Sequence, residues 1–150
     1  MRTVTFSNPE IIKTLNAEFV CAWVNKRPDE PFEHLPDKAG CGLAMGAGFT
    51  NVTSVFCASD GTVIHAMPGF LSIIDFKNHL NFARALHARL YDPRIRGGER
   101  FAIHADAHLK AAERAGTFIQ IAAHREQALK WMWTDVMPLD FFDRISPSGG

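Results

Sequence analysis

The run from Asn51 to Leu90, NVTSVFCASDGTVIHAMPGFLSIIDFKNHLNFARALHARL, leaves this chain few ways to fold. Its opening part, Thr53 to Ser59, is short and rich in β-branched and aromatic residues. Asp60-Gly61 follows, a pair that tolerates positive φ and closes two-residue hairpins. The next part, Thr62 to Gly69, returns as a second strand. It is stopped by Pro68, which has no N–H to give a ladder, and by Gly69, which accepts unusual backbone angles. Ser72 and Asp75 then stand as a capping pair ahead of Ile73, Phe76, Leu80, Ala83, Leu86 and Leu90. Steps of three and four place those apolar residues on one stripe of a helix, while Asp75, Lys77, Asn78, Asn81, Arg84 and Arg89 fall mostly outside it. Strand, turn, strand and amphipathic helix is therefore the predicted order, with the helix lying on one face of a sheet.

Upstream, Ser7-Asn8-Pro9-Glu10 marks a helix start, with Ser7 as the expected cap, Glu10 reaching back and Pro9 in the first turn. The helix is expected to run to about Asn16, with Ile11, Ile12 and Leu15 toward a core. Phe19 opens FVCAWVN, an apolar run of strand length typical of a central strand buried on both faces. Residues 26–50 change character, with three prolines and many charges followed by a glycine-rich stretch. They read as a long loop, the kind of segment that often carries function. After Tyr91, Pro93 and Gly97-Gly98 punctuate the chain. A helix then follows from Arg100 to a stop at Gly116, with Phe101, Ile103 or His104, and Leu109 on its apolar side. A second helix is capped by Thr117 and ends before Pro138. The tail concentrates Trp131, Trp133, Phe141 and Phe142, which read as cover for the sheet or as a contact surface.

A chain of 150 residues, 47% of them hydrophobic, suits one domain. Basic and acidic residues balance at 16 each, so the composition carries no signature of nucleic-acid or anionic-membrane binding. No apolar run reaches the roughly 20 residues that span a bilayer, and MRTVTFSNPE lacks the hydrophobic stretch of a signal peptide. A cytoplasmic protein is the expectation. Cys21, Cys41 and Cys57 are odd in number and widely spaced, which argues against a disulfide framework or a paired-cysteine zinc site.

The hairpin closed by Asp60-Gly61, the glycine after its second strand and the packing helix beyond resemble the C-terminal half of the thioredoxin fold. FSNPEIIKTLNAEFVCAWVN is similar to the helix and central strand that precede the active site in divergent members of that superfamily. The resemblance implies an α/β fold over residues 1–92, a divergent thioredoxin-like core with a small mixed sheet. Residues 93–150 form a helical extension packed on it within a single domain. The interval 26–50 is too short for the helix, strand and helix of the full fold, which implies a trimmed version. The chain also departs from the pattern in lacking two cysteines two residues apart and a proline before the hairpin strand, where Asn51-Val52-Thr53 stands.

Cys41 is the candidate reactive residue, placed in a glycine-rich loop whose backbone amides could stabilise a thiolate. Cys21 and Cys57 fall within predicted strands, where free cysteine acts as a small buried hydrophobe. Gly40, Gly42 and Gly46 match neither the phosphate-loop nor the dinucleotide pattern. His104 and His108, one helical turn apart, offer two nitrogens on one face. No third ligand is evident, Ala105 replaces the glutamate of the zinc-protease helix, and a solvated or capping role is the simpler expectation. His65 and His124 read as structural residues. The expectation is therefore no cofactor and no metal ligand. Two functions follow: a thiol-linked redox protein working through Cys41, or a noncatalytic thioredoxin-like module that binds a protein or a second copy of itself through its C-terminal helices.

Overall fold

The computed structural model describes residues 5–21, 53–69 and 71–129. Their order is α1 (Pro9–Glu18), β1 (Thr53–Cys57), β2 (Val63–Pro68), α2 (Ile73–Leu90), α3 (Gly97–Arg114) and α4 (Phe118–Leu129). Among the described residues this is a mixed α/β arrangement of four helices and a two-stranded antiparallel sheet. None of these helices is long and apolar enough to cross a membrane.

The hairpin forms where expected, but its turn is one residue longer. Ala58 N–H donates to Thr62 O at 2.8 Å, Gly61 N–H donates to Ala58 O at 3.0 Å, and Thr62 N–H donates to Asp60 Oδ1 at 2.9 Å. Gly61 has φ 83° and Gly69 has φ 91°, so both turn glycines occupy the left-handed region that a side chain disfavours. Phe56 faces His65 and Cys57 faces Val63, so Ile64 is an extra residue with no partner on β1. The Ile64 carbonyl faces the same edge as Ala66, toward the side chains of α3.

At α1 the cap is Asn8 rather than Ser7. Asn8 Oδ1 accepts from the N–H groups of Glu10 and Ile11 at 3.1 and 3.2 Å, with Pro9 directly after the cap. Glu10 does not reach back but pairs with Lys77 of α2. The helix continues to Glu18, and Ile12 is 41% exposed whereas Ile11 is buried. Phe19 adopts an extended conformation, but Val20 is 82% exposed and Cys21 is exposed, so the described start of the expected central strand is not buried. Residues 22–25 of that strand, the 26–50 loop with Cys41, and the aromatic tail from Trp131 onward lie outside the described residues.

Helix α2 follows its sequence pattern closely. Ser72 Oγ accepts from Asp75 N–H at 3.1 Å and donates to Asp75 Oδ2 at 2.7 Å, and Phe76, Leu80, Ala83, Leu86 and Leu90 are all buried. Helix α3 begins three residues earlier than expected and takes Gly97 and Gly98 into its first turn. Arg96 N–H donates to Glu99 Oε2 at 2.9 Å and starts the helix there. The expected apolar face is also displaced. Phe101 and Leu109 are 46% and 50% exposed, while His104, Ala107, His108 and Ala112 are buried. The alanines allow close approach of α4, and the histidines reach across to β2. Thr117 precedes α4 as expected and accepts from Gln120 N–H.

All six residues of β2 are buried, so this strand is covered on both faces. One apolar cluster joins Ile11, Phe56, Met67, Leu71, Phe76 and Leu80, and a second joins Ala58, Ile64, Leu86, Leu90 and Ala107. Among the described residues, side chains rather than a strand meet the free edge of β2. Gln127 of α4 accepts from Ala66 N–H at 2.7 Å and donates to Ala66 O at 2.8 Å, with Gln127 fully buried.

Candidate metal centre

Five histidines converge in the core between those clusters. His65 comes from β2, His79 from α2, His104 and His108 from α3, and His124 from α4. All are buried, and His65, His104 and His108 are 0% exposed. A solvated or capping role for His104 and His108 is thus corrected by their position. The helix places them four residues apart on one face, and both rings reach the carbonyl of Ile64 on β2. His104 Nε2 lies 3.2 Å and His108 Nε2 3.3 Å from Ile64 O.

Two contacts join the rings directly. His65 Nε2 is 3.1 Å from His79 Nδ1, and His108 Nδ1 is 3.0 Å from His124 Nδ1. His65 and His124 stack with centroids 5.1 Å apart and planes 11° apart. The surround is aromatic. Phe56 stacks on His65, and the edge or face of Phe82 meets His65, His108 and His124 at centroid distances of 4.9 to 5.2 Å.

Burial dictates the charge state of this cluster. It pushes His108 down to about 3, helped by the nearby His104 and His124, and His124 down to about 4, helped by His79. Burial also lowers His65, His79 and His104. Five neutral imidazoles then hold five N–H donors and five lone pairs. A carbonyl oxygen only accepts, so the nitrogens of His104 and His108 that meet Ile64 O must carry their protons. Their Nδ1 atoms therefore carry lone pairs. That of His104 has no partner, and neither has His65 Nδ1.

His65, His79 and His124 each offer a ligand nitrogen, and these nitrogens all lie within 4.8 Å of one another. Bonds of about 2.0–2.1 Å from a tetrahedral ion to imidazole place ligand nitrogens about 3.3–3.4 Å apart. The contact of 3.1 Å between His65 and His79 is close to that spacing. Neutral imidazole suits zinc, copper, nickel and cobalt, and a three-histidine set leaves one coordination position for water or a small ligand.

The sequence displayed only the His104–His108 pair, because the other members stand on three more elements at irregular spacing. One local signal is present in the sequence. His79 sits three residues after Phe76 and four before Ala83, inside the buried stripe of α2, where a histidine needs a partner.

The other features of interest do not converge on this centre. Cys57 is half-buried, with its thiol pushed up to about 11 by burial and by Asp60, so it stays protonated at neutral pH. Cys21 is exposed rather than buried in a strand. A cleft of about 280 Å³ between α1 and α2 carries Lys77 and Arg84, but these are paired with Glu10 and Glu18.

Comparison of the chain with protein-family models, curated proteins and solved structures finds no match.

Proposed function

We propose that this chain is a transition-metal-binding protein in which His65, His79 and His124 hold one divalent ion of the zinc type. The carrying observation is the convergence of three buried ligand nitrogens, from β2, α2 and α4, within 4.8 Å. Bound there, the ion ties three separate elements together. Its stabilising effect then appears as binding linked to folding. Chelator-stripped protein titrated with zinc or cobalt tests this. One ion per chain is expected, with stabilisation of about 2.7 kcal/mol at a free ion concentration 100 times the dissociation constant. Substituting His79 by Ala removes the binding. A chain whose melting temperature ignores both metals overturns the reading.

A second reading concerns the frame around the centre. The β1–β2 hairpin with its Asp60-Gly61 turn, the left-handed Gly69 and the packing helix α2 support a divergent thioredoxin-like fold. Within it, the raised thiol of Cys57 favours the noncatalytic binding module over redox chemistry, which would rest on Cys41 alone. Exposed Phe101 and Leu109 on α3 and Phe118 on α4 support association through the C-terminal helices. Alkylation rates of the three thiols against pH, with light scattering for the oligomeric state, test this reading. A fast-reacting Cys41 in a monomeric chain overturns the noncatalytic form.

A further inference from the structure

We infer that His108 is a positioning residue of the metal centre, one that orients His124 and selects its Nε2 as the ligand atom. The inference rests on the metal-binding reading above and adds a fourth histidine to it in a different role.

The argument starts at the β2 bulge. Phe56 pairs with His65 and Cys57 with Val63, which leaves Ile64 unpaired, and its carbonyl faces α3 on the edge that Ala66 presents to Gln127. His108 Nε2 lies 3.3 Å from that oxygen, and since the oxygen can only accept, Nε2 carries the proton. His108 Nδ1 is then a lone pair, and it faces His124 Nδ1 at 3.0 Å. For that contact to be attractive His124 must donate from Nδ1, which leaves Nε2 as the only lone-pair nitrogen of His124. A hydrogen-bonded chain therefore runs from the Ile64 carbonyl through His108 to His124 and ends at the ion. This is the usual device by which a protein fixes the tautomer and ring angle of a ligating histidine, with an imidazole in the place more often taken by a carboxylate or carbonyl. His104 donates to the same oxygen at 3.2 Å and its ring meets that of His108, so it supports the carbonyl rather than the ligand.

The test uses the full chain, stripped of metal and titrated with cobalt, whose visible absorption reports coordination geometry. His108→Leu keeps an apolar volume but removes both hydrogen bonds. His108→Gln restores an acceptor toward His124 and a donor toward Ile64. The expected result is a loss of about 10- to 100-fold in cobalt affinity for His108→Leu, with a changed spectrum, and recovery to within about threefold of the parent for His108→Gln. Nitrogen-15 NMR of the loaded parent chain gives a readout independent of any variant. His108 should be protonated at Nε2 and His124 at Nδ1, with the metal-shifted resonance at Nε2 of His124. Parent-like binding by His108→Leu overturns the inference, as does a metal-shifted Nδ1 on His108, which would make it a ligand. Failure of the parent chain to bind cobalt overturns the metal reading itself, and is distinguishable because no variant is needed to see it.

Discussion

Acidifying the metal-free protein from pH 7 to pH 5 should cost it much of its stability, and the structure sets the size of the loss. His108 and His124 titrate in the unfolded chain near the ordinary value of about 6.5. In the folded chain burial moves them down to about 3 and about 4. Because the folded values are depressed, the unfolded state binds more protons throughout the window between them, and stability must fall as pH falls. The contribution is fully present above about pH 6.5 and is lost on the way toward pH 4. Each such histidine costs about 1.4 kcal/mol per pH unit below 6.5, so the two together cost about 4 kcal/mol by pH 5. His65, His79 and His104 are shifted in the same direction and add to it. Small domains have only about 5–15 kcal/mol in total, and the melting temperature should drop by roughly 10–15 °C. Ordinary carboxylates titrate mostly below this window, so the drop reports the histidines. The assay is thermal unfolding followed by circular dichroism in chelator at half-unit pH steps. A melting temperature that is flat between pH 7 and pH 5 would refute the claim that these imidazoles are buried and neutral, and with it the geometry of the centre.

Two further substitutions probe what positions the centre. Gln127→Leu strips the edge of β2 of its side-chain partner and leaves a buried N–H and a buried carbonyl at Ala66. A loss of about 2–4 kcal/mol in urea unfolding is expected, and a near-neutral result would mean that water or another group takes over these bonds. Ser72→Ala removes the hydroxyl that accepts from Asp75 N–H at the start of α2. It should cost about 0.5–2 kcal/mol with the metal affinity unchanged, since His79 lies two turns into the helix.

Helix α2 and the hairpin were legible because their causes are local. The β-branched and aromatic run from Thr53 to Ser59, the glycine that tolerates φ 83°, and the Ser72 cap all act within a few residues of themselves. The face of α3 was not legible. Its large apolar residues Phe101 and Leu109 advertise one side, yet the side that packs carries Ala107, Ala112 and two histidines. Small size and a partner for a polar ring outweigh hydrophobicity there, and both depend on what lies across the interface. The cap of α1 shows the same limit at close range. Ser7 and Asn8 both suit the role, and it is Asn8 whose side chain accepts from the N–H groups of Glu10 and Ile11.

From the sequence alone come the elements, their amphipathic stripes, and the pair of histidines one helical turn apart. Only the tertiary structure brings His65, His79, His108 and His124 together across as many as 59 positions of chain, and only the pairing of β1 with β2 reveals the bulge at Ile64. The physical reason is that a histidine's role is decided by its partners. The donor or acceptor opposite each ring nitrogen, and the water removed around it, are properties of packed neighbours that no single stretch of sequence contains.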